Sequence, residues 1–467
     1  MITIKSTARI ATFFVLFLTL TTSCNKDLNV QPQNNITPDQ IKTSSDVEAV
    51  LFGAYAGLQN FGNFGESFLF CPDLIASDSQ VDFVGTFQAY QAVNNKIQVS
   101  TNGMTAPIWT QAYKTIDIAN TVLDKISIVD SSDRPTVAGE SYFIRGTCFF
   151  YLTGIFAKPY SDGNASTNLG VPLVLIPTYS YDSSANSPNK PPRATVAASY
   201  AQVIADLQTA ISMLPTSNDN FRVDVYSAHA MLSRVYLSMG MYPEAAAQAD
   251  TVIESGNFSL TDTYDKTFNT DGNSSEDIFA IQQSLQSNAG TTNNGIVTFY
   301  LPFSVNGSQT GGRGDAQVDP LYFDIFEPSD FRGTFFTQGT SISGFPGTYP
   351  NKWSAFYKAI PVIRLAEMYL TRGEANLVAG SSVGANPLDD INIVRNRSGA
   401  STLGTVTQTD FIEERFRELG FEGDRMWSEK RMKWSISGLS FDDDKLVMPI
   451  PQSEIDVNKN LVQNGGY

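Results

Sequence analysis

Apolar residues recur at three- and four-residue spacing through much of this chain, and the clearest case runs from Ser227 to Leu260. Ala228, Leu232, Val235 and Met239 fall on one face of a helix. Gly240 ends that helix, and Pro243 opens the next, because the first helical turn has no use for the N–H that proline lacks. Ala245, Ala249, Val252 and Ile253 form a second stripe, closed by Gly256. The pattern predicts a helical hairpin with small alanines at its seam. One hairpin cannot bury both of its stripes, so neighbours of the same kind are expected beside it.

Other segments repeat the theme. Ser45-x-x-Glu48 has the form of a capping box, followed by a stripe of Val47, Leu51, Ala54, Tyr55 and Leu58. Ile108 to Ile126, Glu140 to Phe156, a helix capped by Ser199, Pro361 to Val378, Pro387 to Val394 and a charged stretch from Phe411 to Met432 also read as helices. Val171 to Ile176 and Glu276 to Ile281 read as short strands, and Leu446 to Pro451 as extended. Helical periodicity fades between Asn60 and Asn102 and again between Asn288 and Lys352, where glycines and aromatics dominate. Irregular stretches of that length are often functional. Gly240, Tyr242 and Ala245 resemble a tetratricopeptide unit. The expected fold is mainly α: a tetratricopeptide-like helical-hairpin scaffold of about eight helices, with two long irregular loop insertions and a few short strands.

The first residues read as an address. Lys5 and Arg9 precede an apolar run, Ile10 to Leu20, of secretory-signal length. Leu20-Thr21-Thr22-Ser23-Cys24 looks like a lipoprotein processing site, with Thr21 where leucine is commonest. The expected organisation is a signal peptide over 1–23, a lipidated tether over 24–38, and a single domain over 39–467. That domain divides into a helical-repeat part to about 285 and a C-terminal part from about 286. Acyl chains on Cys24 would anchor the protein to a bilayer without spanning it. The 467 residues carry a net charge of −16, more negative once Lys5 and Arg9 are set aside. Such a chain lacks the cationic surface that nucleic acid or anionic lipid requires.

Little points to catalysis. His229, the single histidine, sits among apolar repeats and reads as a packed helix residue, not a metal ligand or triad base. There is no paired-cysteine zinc spacing and no phosphate-binding loop. Arg313-Gly314-Asp315 reads as a turn, and Asp442-Asp443-Asp444 lacks the spaced ligands of a calcium loop. Glu413, Glu414, Glu418 and Glu422 alternate with Arg415, Arg417 and Arg425, a pattern expected to form pairs on a helix surface. Cys148 reads as a buried thiol, and a Cys71–Cys148 disulfide stays open.

Several separated motifs resemble the SusD/RagB-like outer-membrane lipoproteins of Bacteroidetes. They are Trp109…Tyr113…Asn120, Glu140 to Gly146, Pro361 to Ala375, Ile391 to Arg397, Glu414 to Arg425, and Pro449 to Glu454 with Asn460 to Tyr467. Gly146 stands where that family often has alanine, and Gly373 is a second departure; both should loosen a helix by roughly 1 kcal/mol. The resemblance implies a non-catalytic protein at the cell surface; the residues themselves lead us to expect a lipid anchor on Cys24 and no cofactor or metal. It implies capture of a glycan, or of peptide, and delivery to a TonB-dependent (SusC-like) transporter in the outer membrane. In that family the ligand site often draws on the two irregular regions. An aromatic plane covers the C–H face of a sugar while amides and carboxylates meet its hydroxyls. The candidate ligand-binding residues are therefore Asp78, Phe83, Phe87, Tyr90, Asn95, Tyr349 and Trp353. A repeat scaffold or adhesin, and an all-α glycoside hydrolase, are the rival readings.

Overall fold

A computed structural model describes residues 38–180, 184, 187–219 and 221–467. The expected signal peptide, Cys24 and nearly all of the tether lie outside the described residues. Of the segment ending at Ile41, the described part is one 3₁₀ turn, Pro38–Gln40. Everything below concerns the body from Lys42 to Tyr467.

The body is mainly α. Its helices are α1 Ser44–Gln59, α2 Ser67–Ile75, α3 Gln88–Asn94, α4 Thr105–Asp124, α5 Arg134–Phe156, α6 Val196–Met213 and α7 Val225–Met239. They continue with α8 Tyr242–Glu254, α9 Ile296–Tyr300, α10 Leu365–Ala379, α11 Pro387–Arg397, α12 Gln408–Leu419, α13 Arg425–Met432 and α14 Gln452–Val457. Helix α1 packs on α4, α4 on α5, α5 on α6, α6 on α7 and α7 on α8, as stacked hairpins require. Helix α8 then packs on α10, and α10 on α11 and α12, so the stack carries on past the second irregular region. Gly240 ends α7 in the left-handed conformation (φ 74°), which a side chain would strain. Ala245, Ala246 and Ala249 are fully buried at the α7–α8 seam.

Several boundaries differ from the periodicity. The box that starts α1 is Thr43 with Asp46, each side chain bonding the other's backbone N–H. Thr195, not Ser199, caps α6. Helices α2 and α3 lie inside the first irregular region. Every residue of α2 is buried, so it carries no polar face and leaves no helical period to read. Pro361 to Arg364, expected to be helical, belong to strand β10 (Ile360–Arg364), antiparallel to β4 (Asp277–Ile281), and α10 begins only at Leu365. The expected long helix from Phe411 to Met432 is two helices, broken where Phe421 takes a left-handed φ of 65°. Gly146 and Gly373 are where helices approach closely: a Cβ on Gly373 would lie 2.6 Å from the Phe411 ring, and one on Gly146 3.0 Å from the Asp206 Cβ. Cys71 and Cys148 are both buried free thiols. His229 is half-buried with Nδ1 2.6 Å from the Gln248 amide oxygen, and burial holds it below its usual value.

The remaining strands are short. β1 (Val81–Phe83) pairs with β7 (Ala316–Val318), and β2 (Leu169–Pro172) with β3 (Arg193–Thr195). The second irregular region also folds into an antiparallel sheet of β5 (Ser304–Val305), β6 (Ser308–Gln309), β8 (Phe336–Thr340) and β9 (Pro346–Pro350).

The charges on α12 are not on a surface. Glu414 and Glu418 are fully buried, and only the Glu413–Arg417 pair at 3.0 Å is the exposed i,i+4 type expected. Arg364 reaches Glu276 at 3.1 Å, Glu418 at 3.0 Å and Glu422 at 2.8 Å. Arg397 pairs with Glu418 at 2.6 Å and with Glu276, while Arg332 pairs with Glu414 at 2.6 Å and Asp330 at 2.7 Å. Burial alone would push the Glu418 carboxyl up, but Arg397, Arg364 and Arg332 together hold it well below the usual glutamate range. These pairs clamp β4, β10, α11 and α12 together.

Candidate functional site

The two irregular regions are one structure. β1 and β7 join them edge to edge, with Val81 opposite Val318 and Phe83 opposite Ala316. Behind that ladder, Phe70 stacks on Phe299 at 5.2 Å between centroids, and Tyr90 lies 4.8 Å from the same ring. Two buried carboxylates tie the layers. Glu66 accepts from the Tyr90 hydroxyl at 2.6 Å and the Gly295 N–H at 2.8 Å. Asp73 accepts from the Tyr300 hydroxyl at 2.9 Å and the Gly423 N–H at 3.0 Å. No arginine pairs with either among the contacts described. Burial therefore wins over these neutral donors and raises both carboxyls to about 7.

On the surface of this junction lies an open cleft of about 640 Å³. The first region supplies Asp78, Asp82, Asn94, Asn95 and Ile97, and the second supplies Asp319 and Leu321. Ser437 and Lys445 close one side. Asp78 is held by the Ser437 hydroxyl, which donates at 2.6 Å. Partial burial, then the neighbouring Asp319 carboxylate, raise Asp82 above the usual aspartate value. Beneath, the Lys96 ammonium donates to the Asn94 carbonyl at 2.7 Å, the Ser77 hydroxyl at 2.9 Å and the Leu74 carbonyl at 3.1 Å. That fixes the Asn94–Asn95 turn, and burial lowers the lysine to about 8. Ile97 and Leu321 are 64% and 58% exposed, so the cleft offers aliphatic contact beside its amides and carboxylates. Such a lining suits a polyhydroxylated ligand with apolar C–H faces.

Of the seven residues picked from sequence, Asp78 and Asn95 come together in this cleft. Phe83, Tyr90, Tyr349 and Trp353 are at most 9% exposed and pack the irregular regions internally. The Tyr349 hydroxyl accepts from the Gln317 amide at 2.8 Å, and the Trp353 indole donates to the Phe421 carbonyl at 2.9 Å. A ring buried on both faces has none left to offer a sugar, which corrects the expectation that these four form the stacking surface. Phe87 is half-buried, 4.5 Å under the Arg313 guanidinium. Arg313 in turn pairs with buried Asp315 at 2.6 Å, so the Arg-Gly-Asp turn is tied up within itself. Asp82, Asn94 and Ile97 of the first region carry no signal of their own in the sequence, and Asp319 and Leu321 join them only through the β1–β7 pairing. Among the described residues no group of His, Cys, Asp and Glu is placed to hold a metal, and no helix is long and apolar enough to cross a membrane.

Comparison with known proteins places this architecture among relatives. Residues 28–237 match the family model "Starch-binding associating with outer membrane", and residues 321–436 match the model of the SusD family. A SusD-like protein P2 of Formosa agariphila is 25% identical, over 98% of this chain and 99% of its own. The starch-binding protein SusD of Bacteroides thetaiotaomicron is 33% identical over 34% of this chain and 29% of its own. The crystal structure of a putative sugar binding protein from Bacteroides vulgatus superposes with a TM-score of 0.79 at 26% identity, covering 91% of this chain and 99% of that one.

Proposed function

The chain belongs to the SusD/RagB-like family, and from that membership we propose that it is a non-catalytic, cell-surface glycan-binding protein. On this reading it hands its ligand to a TonB-dependent transporter in the outer membrane. The observation that carries the ligand half is the cleft where the two irregular regions join. There Asp78 and Asn95, with Asn94 and Asp319, present hydroxyl-binding groups beside exposed Ile97 and Leu321. Relatives whose names record starch or sugar binding support a carbohydrate as the ligand class. The delivery half rests on the family resemblance of the motifs, and the lipid anchor on Cys24.

Titration calorimetry against a panel of soluble polysaccharides tests the ligand. We expect heat with at least one glycan, and at least a tenfold loss in an Asp78→Ala/Asn95→Ala variant that unfolds at the wild-type temperature. Absence of heat with every glycan, together with binding of oligopeptides, would move the reading to peptide import. Release of reducing ends by the purified protein would overturn the non-catalytic assignment. Mass spectrometry of the membrane-extracted protein tests the anchor, and a Cys24→Ser variant should leave the membrane fraction. Pull-down with a TonB-dependent transporter of the same outer membrane tests the partner.

A further inference from the structure

A second concave site lies on the helical frame. Between α1 and the loop Gln282–Ser287 runs a groove of about 410 Å³. Its walls carry two large rings that the fold does not cover: Phe52 is 43% exposed and Phe221 41%. Their centroids are 6.0 Å apart with planes inclined by 56°, and Phe221 stands edge-on to Tyr55 at 6.5 Å. The α1 side of the groove is fixed in place. The Arg222 guanidinium sits 5.7 Å over Phe52 and is itself anchored to buried Glu140 at 2.7 Å. The Tyr55 hydroxyl donates to the same carboxylate at 2.6 Å. The opposite wall is fixed too, because the Gln59 amide donates to the Gln282 carbonyl at 2.6 Å and the Ser287 carbonyl at 3.1 Å, and accepts from the Ser287 hydroxyl at 2.8 Å. A half-exposed aromatic pair in a preformed groove, rimmed by amide and hydroxyl side chains, has the chemistry the first cleft lacks: a flat apolar face beside hydrogen-bonding groups.

We propose that this groove is a second carbohydrate site, holding one sugar ring of a longer chain against Phe221 and Phe52 while the Asp78 cleft holds another part. The proposal rests on the carbohydrate reading given above and adds a second point of attachment to it. Two attachments on one polymer make the second binding intramolecular, so polymer should bind tighter than a short oligosaccharide of the same sugar.

The probes are soluble starch, laminarin and galactomannan, each with its own hexasaccharide, titrated into the full chain. For the polymer that binds, Phe221→Ala should weaken polymer binding by roughly tenfold while leaving hexasaccharide affinity at the Asp78 cleft unchanged. Phe221→Trp, which keeps a ring, should retain wild-type affinity. In an Asp78→Ala/Asn95→Ala background the residual polymer binding should vanish when Phe221→Ala is added. Wild-type polymer affinity in Phe221→Ala overturns the second site and leaves the first intact. Loss of transporter capture by Phe221→Ala with polymer binding unchanged overturns it in favour of a protein contact. If the wild-type chain binds none of the six probes, the carbohydrate reading of both sites falls together.

Discussion

Two sets of buried carboxylates hold this molecule together in opposite ways. Around Glu418 the acids are met by arginines, with Arg364 within 3.1 Å of Glu276, Glu418 and Glu422. Around the cleft, Glu66 and Asp73 are met only by hydroxyl, amide and backbone N–H donors. Glu418, Glu66 and Asp73 are all buried, so the difference between them comes from their partners. With three arginines around it the Glu418 carboxyl stays charged far below its usual range; at Glu66 and Asp73, without them, burial prevails and the proton stays on to about 7. The helical frame is thus fastened by charge, and the junction beneath the ligand cleft by groups that are neutral in mild acid.

The largest break should come from the charged side. Arg364→Ala leaves three buried carboxylates short of their shared cation, and we expect a loss of about 3–5 kcal/mol in urea unfolding. The next separates the two sets by pH. Glu66 and Asp73 have folded values raised from 4.5 and 3.8 to about 7. Their contribution is therefore complete below about pH 4 and fades as the pH rises through 7. Glu418 and Glu422 are held below 4.5, so theirs is complete above that value and fades only as acid approaches the lowered folded value. Hydrogen exchange, corrected for intrinsic rate, should show the Gly295 and Gly423 amides losing protection as the pH rises from about 4 through 7 while β4 and β10 do not. Glu66→Gln should cost about 1–2 kcal/mol at pH 5 and remove its share of that decline toward pH 7. The smallest effect is expected at Tyr349→Phe. Losing the bond to Gln317 should lower stability by about 0.5–1 kcal/mol and leave glycan affinity unchanged, because the ring supports the region from inside.

The same contrast explains what could be read from the chain beforehand. The hairpin around Gly240 was legible because α7 and α8 each keep one face toward polar surroundings, and that leaves a period. Helix α2 was not, since burial on all sides erases the period. Pro361-Val-Ile-Arg was read as helix because its apolar residues run on into Leu365; pairing with β4, 80 or more residues earlier, decided otherwise. The glutamates of α12 have helical i,i+4 neighbours in sequence, yet their main partners are Arg332, Arg364, Arg395 and Arg397, most of them distant in the chain. Aromatic content marks the two irregular regions in the sequence, but residue type does not say which way a ring turns. Phe52 and Phe221, two of the rings left outside, lie at helical and loop positions away from both irregular regions.

The Arg364 node also bears on how the chain is made. Glu276 leaves the ribosome 88 residues ahead of Arg364 and 121 ahead of Arg397. Until both have emerged, the Glu276 carboxylate just before β4 has nowhere dry to go, so the nascent N-terminal hairpins cannot seal their last face. An expression fragment that stops near residue 285 would be caught in that same unfinished condition. Cutting the protein there to isolate its repeats should yield a sticky, chaperone-bound product.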